Sequence, residues 1–307
     1  MKILLTGGRG MVGKNILEHP LATGLDIHSP GRDELDLRNK VDVRKYLEKL
    51  APDLIIHAAG RVGGIRANMA FPFEFLLENL EVGTNIIGCA AEVGITRLLN
   101  LASSCIYPKD VGGKLTEDMI LSGHLEPTNE GYALAKIAAL RLCEFGNMRD
   151  NKIQYKTLIP CNLFGPYDKF DLLSAHLIPA IIAKVHNARL NQESIVEIWG
   201  DGSAKREFMY VEDLASVVLR AARDYDEVPS LMNVGLGYDH SVLDYYKVVA
   251  DVVGWHGEFS FDLTKPAGMK RKLLNVDRQT AWGFLPAHNL LDGIRKTYDF
   301  YLRTSTS

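Results

Sequence analysis

The chain has 307 residues, 47% of them hydrophobic and 24% charged, with a net charge of −3. That length carries a sizeable core with room for a large domain and a smaller one. The charge balance leaves no basic footprint for nucleic acid or an anionic membrane, and no apolar run reaches the ~20 residues of a membrane-spanning helix. Cys89, Cys105, Cys143 and Cys161 lack metal-type spacing, so neither a metal site nor a disulfide framework is expected.

Lys2 to Thr6 is a short apolar run that reads as a buried strand and not as a leader, which makes the cytoplasm the expected compartment. It breaks into Gly7-Gly8-Arg9-Gly10-Met11-Val12-Gly13 and then into a helical pattern. Glycines at 7, 10 and 13 permit a sharp turn, close approach of a pyrophosphate and tight packing of helix on strand. The phosphates would meet Met11, Val12 and their neighbours at the helix N-terminus, where free amides and the dipole favour negative charge.

A second strand, around Leu25 to Ser29, leads into Pro30-Gly31-Arg32-Asp33. A carboxylate about twenty residues past the glycines ordinarily holds the ribose of NAD. Here Arg32 is the better-placed charge and Arg9 is a second. Two guanidiniums suit a 2′-phosphate, so the expected cofactor is NADP(H), with Asp33 on the ribose as the alternative.

Leu54-Ile55-Ile56-His57-Ala58-Ala59-Gly60 predicts another buried strand ending in small residues, followed by the glycine-rich Arg61 to Asn68. A helix from about Pro72 to Val93 is apolar on most sides, which suits burial against another helix or a second subunit. Arg97 to Ala102 is a further strand and runs into Ser103-Ser104-Cys105. In Gly131-Tyr132-Ala133-Leu134-Ala135-Lys136, helical spacing puts Tyr132 and Lys136 on one face. An ammonium beside a phenol stabilises the phenolate, so the tyrosine is expected to exchange a proton near neutral pH.

Tyr155 to Pro160 is the next strand. From about Phe170 the patterns mix, with helices over Val211 to Arg223, Val242 to Val253 and Leu290 to Leu302. The predicted fold is α/β. A Rossmann-type doubly wound parallel sheet covers 1–169, with a smaller mixed α/β C-terminal substrate lobe over 170–307. Segments such as 211–240 would return to the first domain.

Gly7-x-x-Gly10-x-x-Gly13, Ser103 and Tyr132-x-x-x-Lys136 together resemble the extended short-chain dehydrogenase/reductases along the whole chain. Val62-Gly63-Gly64-Ile65-x-Ala67-Asn68, Cys105 and Glu126-Pro127-Thr128-Asn129-Glu130 are similar to the GDP-L-fucose synthases. In that family a GDP-linked 4-keto-6-deoxy sugar is epimerised at C3 and C5 and then reduced at C4 by NADPH.

The resemblance puts the family's catalytic residues on Ser103, Tyr132 and Lys136 and its epimerisation pair on Cys105 and His176. It puts adenine contacts on Asp36 and Leu37, and sugar-nucleotide contacts on Asn162, Lys184, Trp199, Arg206 and Lys272. Lys265-Pro266-x-Gly268 matches the C-terminal substrate segment. A homodimer through the helices near Pro72–Val93 and Tyr132–Met148 is implied as well. The chain departs from the pattern at Gly131, where proline is frequent, and at Phe170-Asp171-Leu172-Leu173, which replaces a more polar segment. These departures leave a related GDP-linked sugar open, a heptose or a 3-deoxy sugar as in GDP-colitose formation.

Overall fold

The computed structural model describes residues 1–109, 111–171, 175–265 and 269–305. The apolar runs of the first half become strands β1 (Lys2–Thr6), β2 (Asp26–His28), β3 (Leu54–His57), β4 (Arg97–Leu101) and β5 (Gln154–Pro160). Most lack an alternating polar face because helices cover both sides of the sheet: Leu4 and Leu5, or Ile55 and Ile56, are equally buried although they point opposite ways. The covering helices are α1 (Met11–Glu18), α2 (Lys40–Leu50), the short α3 (Ile65–Ala70), α4 (Pro72–Glu92) and α5 (Glu130–Arg149).

Small residues let α4 and α5 lie close together. A Cβ added at Gly83 would come within 3.2 Å of the Ala139 Cβ, and one at Gly131 within 2.9 Å of the Pro72 carbonyl oxygen. The departure at Gly131 therefore has a packing reason, since a side chain there would press on the start of α4.

The second half forms β6 (Asn162–Phe164), α6 (Leu177–Leu190), β7 (Ile195–Trp199), β8 (Lys205–Arg206), β9 (Phe208–Tyr210) and α7 (Val211–Arg223). It continues with β10 (Leu231–Val234), β11 (His240–Ser241), α8 (Val242–Val253), β12 (Glu258–Asp262), β13 (Arg271–Lys272), α9 (Asp277–Ala281) and α10 (Leu290–Ser305).

Six strands form one parallel sheet in the order β10-β5-β4-β3-β1-β2. This is the doubly wound arrangement that the alternating patterns predict. The chain steps from β1 outward to β2, then returns to the other side of β1 and winds toward β10. At that reversal the loops leave the strand ends in opposite directions and open a crevice.

Strand β10 pairs with β5, and α7 packs on α1, so this late stretch belongs to the large sheet. The remaining strands form small sheets, β11-β8-β13, β12-β7 and β6-β9, around a second core that includes Ile182, Ile198, Tyr245 and Ile294. Helix α8 is closed at both ends, by a Ser241–Asp244 capping box and by Gly254 at φ 73°. Among the described residues no helix is long and apolar enough to cross a membrane.

Candidate active site

The glycine turn is shaped by what it has no room for. Gly7 has φ +78°, and a Cβ there would lie 2.7 Å from the Ala59 nitrogen. At Gly13 a Cβ would lie 2.3 Å from the Gly7 carbonyl oxygen, so α1 starts hard against the end of β1. Gly10 caps α1 without a side chain, and the first turn carries no acid. The amides of Met11, Val12 and Gly13 are therefore the groups that α1 offers an anion, and this cradle fits a dinucleotide pyrophosphate.

The arginines beyond β1 and β2 are exposed and lie beside carboxylates. Arg9 and Arg32 do not stand as two unpaired cations: Arg9 pairs with Asp33 at 2.8 Å, and Arg32 Nε lies 4.0 Å from Asp36. Asp36 is held mainly by Arg38, which donates through Nε and Nη2 at 2.7–3.2 Å and lowers the carboxyl to about 2. The Leu37 carbonyl accepts from Asn85 Nδ2 at 3.0 Å. Arg38 is a third guanidinium at this edge, and its pairing with Asp36 is local, two residues away in the chain.

At the carboxyl end of β4 four of the expected residues meet. Ser103 caps the single turn Ser104–Ile106, its Oγ accepting from the Cys105 amide at 3.5 Å, and its hydroxyl lies close enough to the Tyr132 phenol and the Cys105 thiol to favour their ionised forms. Lys136 Nζ donates to the Leu101 carbonyl at 3.0 Å and lies 5.8 Å from the centroid of the Tyr132 ring. Burial lowers the Lys136 ammonium to about 8 and pushes the Tyr132 phenol up, with the Ser103 hydroxyl acting the other way. The expected lowering of the phenol by its lysine is not met. The ammonium is engaged by a backbone carbonyl, and the desolvation of a phenolate here outweighs what favours it.

Burial also pushes the Cys105 thiol up, opposed chiefly by the charge of Lys272. Beneath Lys136 lies His57, whose Nδ1 shares a 2.8 Å hydrogen bond with Thr6 Oγ1. Burial first and Lys136 second lower its imidazole to about 3. A Cβ at Gly60, three residues beyond β3, would lie 2.7 Å from Asn79 Oδ1, the oxygen that accepts from the Arg61 amide, so a side chain there would displace that contact.

His176 stands on a different element, at the start of α6. It caps α6 without bonding the helix, and burial with the nearby Lys169 lowers its imidazole. The contacts of the described residues do not join it to Cys105. Near it, Asp168 has a buried Oδ2 with no partner, and burial pushes its carboxyl to about 7.

The opposite wall is built from paired short strands. Register sets Lys272 on β13 beside Arg206 on β8. Burial lowers both cations, while the charge of Glu126 raises both. Between these strands Glu207 is 1% exposed and accepts the amides of Leu236, Gly237 and Leu274 at 2.6, 2.8 and 2.9 Å.

Asn162 Nδ2 donates to the Glu207 carbonyl at 2.8 Å, tying β6 to the same junction. Lys184 is turned to the Glu197 carbonyl and does not join Arg206 and Lys272. Trp199 is 38% exposed, with the Arg66 guanidinium carbon 4.4 Å and Lys265 Nζ 5.8 Å from its ring. Leu172, Leu173, Ser174, Pro266 and Gly268 lie outside the described residues, among which no cluster suits a metal ion. Glu207 sits inside a recognised motif, yet its role was hidden, because nothing local marks an acceptor for amides up to 67 residues away.

Comparison with known proteins agrees with this geometry. Residues 3–235 match the NAD dependent epimerase/dehydratase family. The chain is 50% identical to a GDP-L-colitose synthase of Yersinia pseudotuberculosis, over 98% of each. It is 47% identical to a GDP-L-fucose synthase of Azorhizobium caulinodans, over 98% of this chain and 96% of that one. A GDP-D-glycero-L-gluco-heptose synthase from Campylobacter jejuni, solved in the presence of NADPH, superposes with a TM-score of 0.89 at 26% identity, over 98% of both chains. With a glycine cradle at the sheet's reversal, a Ser-Tyr-Lys group beside it and near-complete coverage of these relatives, the chain belongs to the NAD dependent epimerase/dehydratase family.

Proposed function

We propose that this protein is an NADPH-dependent enzyme that epimerises GDP-4-keto-6-deoxy-D-mannose at C3 and C5 and reduces it at C4 to GDP-L-fucose. The observation that carries the reading is the meeting of Ser103, Cys105, Tyr132 and Lys136 at one buried centre, with Lys272 acting on it from the opposite wall. Gly7, Gly10 and Gly13 would hold the pyrophosphate of the cofactor, and Arg9, Arg32 and Arg38 stand at the edge that receives its 2′-phosphate. When bound, NADPH supplies the hydride for C4.

Ser103 and Tyr132 would hold the C4 oxygen, so that a proton leaving C3 or C5 leaves an enolate stabilised at that oxygen. Burial keeps the Cys105 thiol protonated and the His176 imidazole neutral, which makes the histidine the base and the thiol the acid of the epimerisation. In the reduction Tyr132 gives its proton to the C4 oxygen; its raised affinity for that proton suits a donor that stays loaded until the oxygen gains charge. Arg206 and Lys272 would take the diphosphate.

A second reading is favoured by the 50% identity to a GDP-L-colitose synthase. The substrate would then be the 3-deoxy analogue, inverted at C5 alone before reduction. Incubation with each sugar and NADPH in deuterated water separates the two. Greater turnover of the 6-deoxy mannose derivative, with deuterium at C3 and C5 of the product, supports the first reading. Preference for the 3-deoxy sugar establishes the second, and reduction without deuterium at C5 removes epimerisation from both.

We also take the enzyme to be a cytoplasmic homodimer. Support for the dimer comes from apolar side chains left outside on the paired helices α4 and α5, Phe73 at 68% and Phe145 at 59% exposure among them.

A further inference from the structure

Trp199 ends β7 on its outward face, and Glu197 two residues earlier pins the indole by accepting from Nε1 at 3.2 Å. The turn that follows, with Gly200 and Gly202 at φ +72° and +74°, brings the chain directly to Arg206 on β8. The wall thus carries Lys272 and Arg206 side by side and, at the start of the same turn, the exposed indole of Trp199, two cations for a diphosphate and an aromatic face for a base.

Arg66 approaches Trp199 from the other side of the crevice, on α3 beyond β3 of the large sheet. Its guanidinium carbon lies 4.4 Å from the indole centroid. Among the described residues Arg66 has no carboxylate partner and no acceptor for its N–H groups. A guanidinium this close to an aromatic ring gains from the ring without using its N–H donors on a carboxylate, so its fork stays available.

We propose that Arg66 reads the nucleobase: held against Trp199, it donates two parallel hydrogen bonds to the O6 and N7 acceptors of guanine. That acceptor pair is the feature of guanine that a guanidinium fork matches, whereas adenine offers an N6 donor in place of O6, and uracil has no such edge. The inference rests on the reading that the substrate is a GDP-linked sugar and adds the residue that selects the base. Lys265, 5.8 Å from the same ring, supplies charge without a fork.

The test is calorimetric titration of the whole protein with GDP, IDP, ADP, UDP and inorganic pyrophosphate, for the natural chain and for Arg66→Ala and Arg66→Lys. Arg66 is exposed, so both variants should keep the thermal midpoint of the natural chain. GDP and IDP, which share O6 and N7, should each lose about tenfold in affinity in both variants. ADP, UDP and pyrophosphate should change little, so the preference for guanine narrows.

An equal loss for all five ligands in Arg66→Ala, restored by lysine, would make Arg66 a phosphate contact and overturn base reading. Unchanged GDP affinity in both variants would overturn it too. If the natural chain binds UDP or ADP as tightly as GDP, the failure lies with the GDP-sugar reading itself.

Discussion

Ser103 is the residue at which two chemistries touch, since its Oγ accepts from the Cys105 amide at 3.5 Å and its hydroxyl lies close enough to the Tyr132 phenol to ease its ionisation. The proposed roles of those two neighbours should separate by mutation. Tyr132→Phe removes the proton donor for C4 and should slow reduction by at least ~10²-fold, while NADPH binding measured by fluorescence titration stays unchanged. Near-normal reduction by this variant would assign the proton to another group. Cys105→Ser keeps the volume but makes a poorer acid, so this variant should lose solvent deuterium from the product. It should still reduce its substrate to a GDP-6-deoxy-hexose of the D series. Exchange that survives in Cys105→Ser would move the acid elsewhere.

At the scale of elements, two buried groups hold the short strands and the sheet in place. Glu207 joins the β8–β9 turn to the 236–237 loop and to Leu274 just beyond β13, and so fixes the register of Arg206 beside Lys272. Glu207→Gln sets an amide N–H against backbone N–H donors. Its expected cost is about 1.5–3 kcal/mol in urea unfolding, together with a raised KM for the nucleotide sugar. Full stability in that variant would mean that the three amides find other acceptors.

His57 ties the sheet to acid. Unfolded, its imidazole takes a proton near its ordinary value of 6.5, but in the fold only near about 3. Between those values the unfolded chain binds more protons, so His57 makes stability fall as pH drops from 6.5 toward 3. The slope it adds approaches about 1.4 kcal/mol per pH unit. His57→Gln should flatten the urea midpoint across that window, and an unaltered slope would show that other groups carry the acid sensitivity.

For the whole molecule, α4 and α5 bury one side on each other and the sheet, leaving Phe73 and Leu77, and Phe145 and Met148, exposed at helical spacing. In the proposed homodimer a second copy seated on this face would cover them. Light scattering of the natural chain should give twice the 34.1 kDa mass of one copy. The Phe73→Glu, Leu77→Glu double variant should shift it to the single-copy value. A natural chain that stays at 34.1 kDa at micromolar concentration would remove the dimer.

Much of this molecule is determined by signals that act over a few residues. Continuous apolar runs specify strands covered on both faces, and glycines at 7, 10 and 13 leave room for a helix to start against a strand. Spacing alone sets Tyr132 and Lys136 on one helical face. Tertiary structure decided what depends on partners distant in the chain. It engaged Arg9 with Asp33 and turned Lys184 onto a carbonyl, although the sequence marks both as available cations. It also raised the phenol of Tyr132 that its lysine was expected to lower, because desolvation depends on everything packed around a group and not on its neighbour in the helix. The amides that Glu207 accepts and the indole beneath Arg66 lie in other elements, so no periodicity marks them. Local propensity and pattern repeat along the chain and can be read there; charge pairing and burial are properties of three-dimensional packing, and only the fold fixes them.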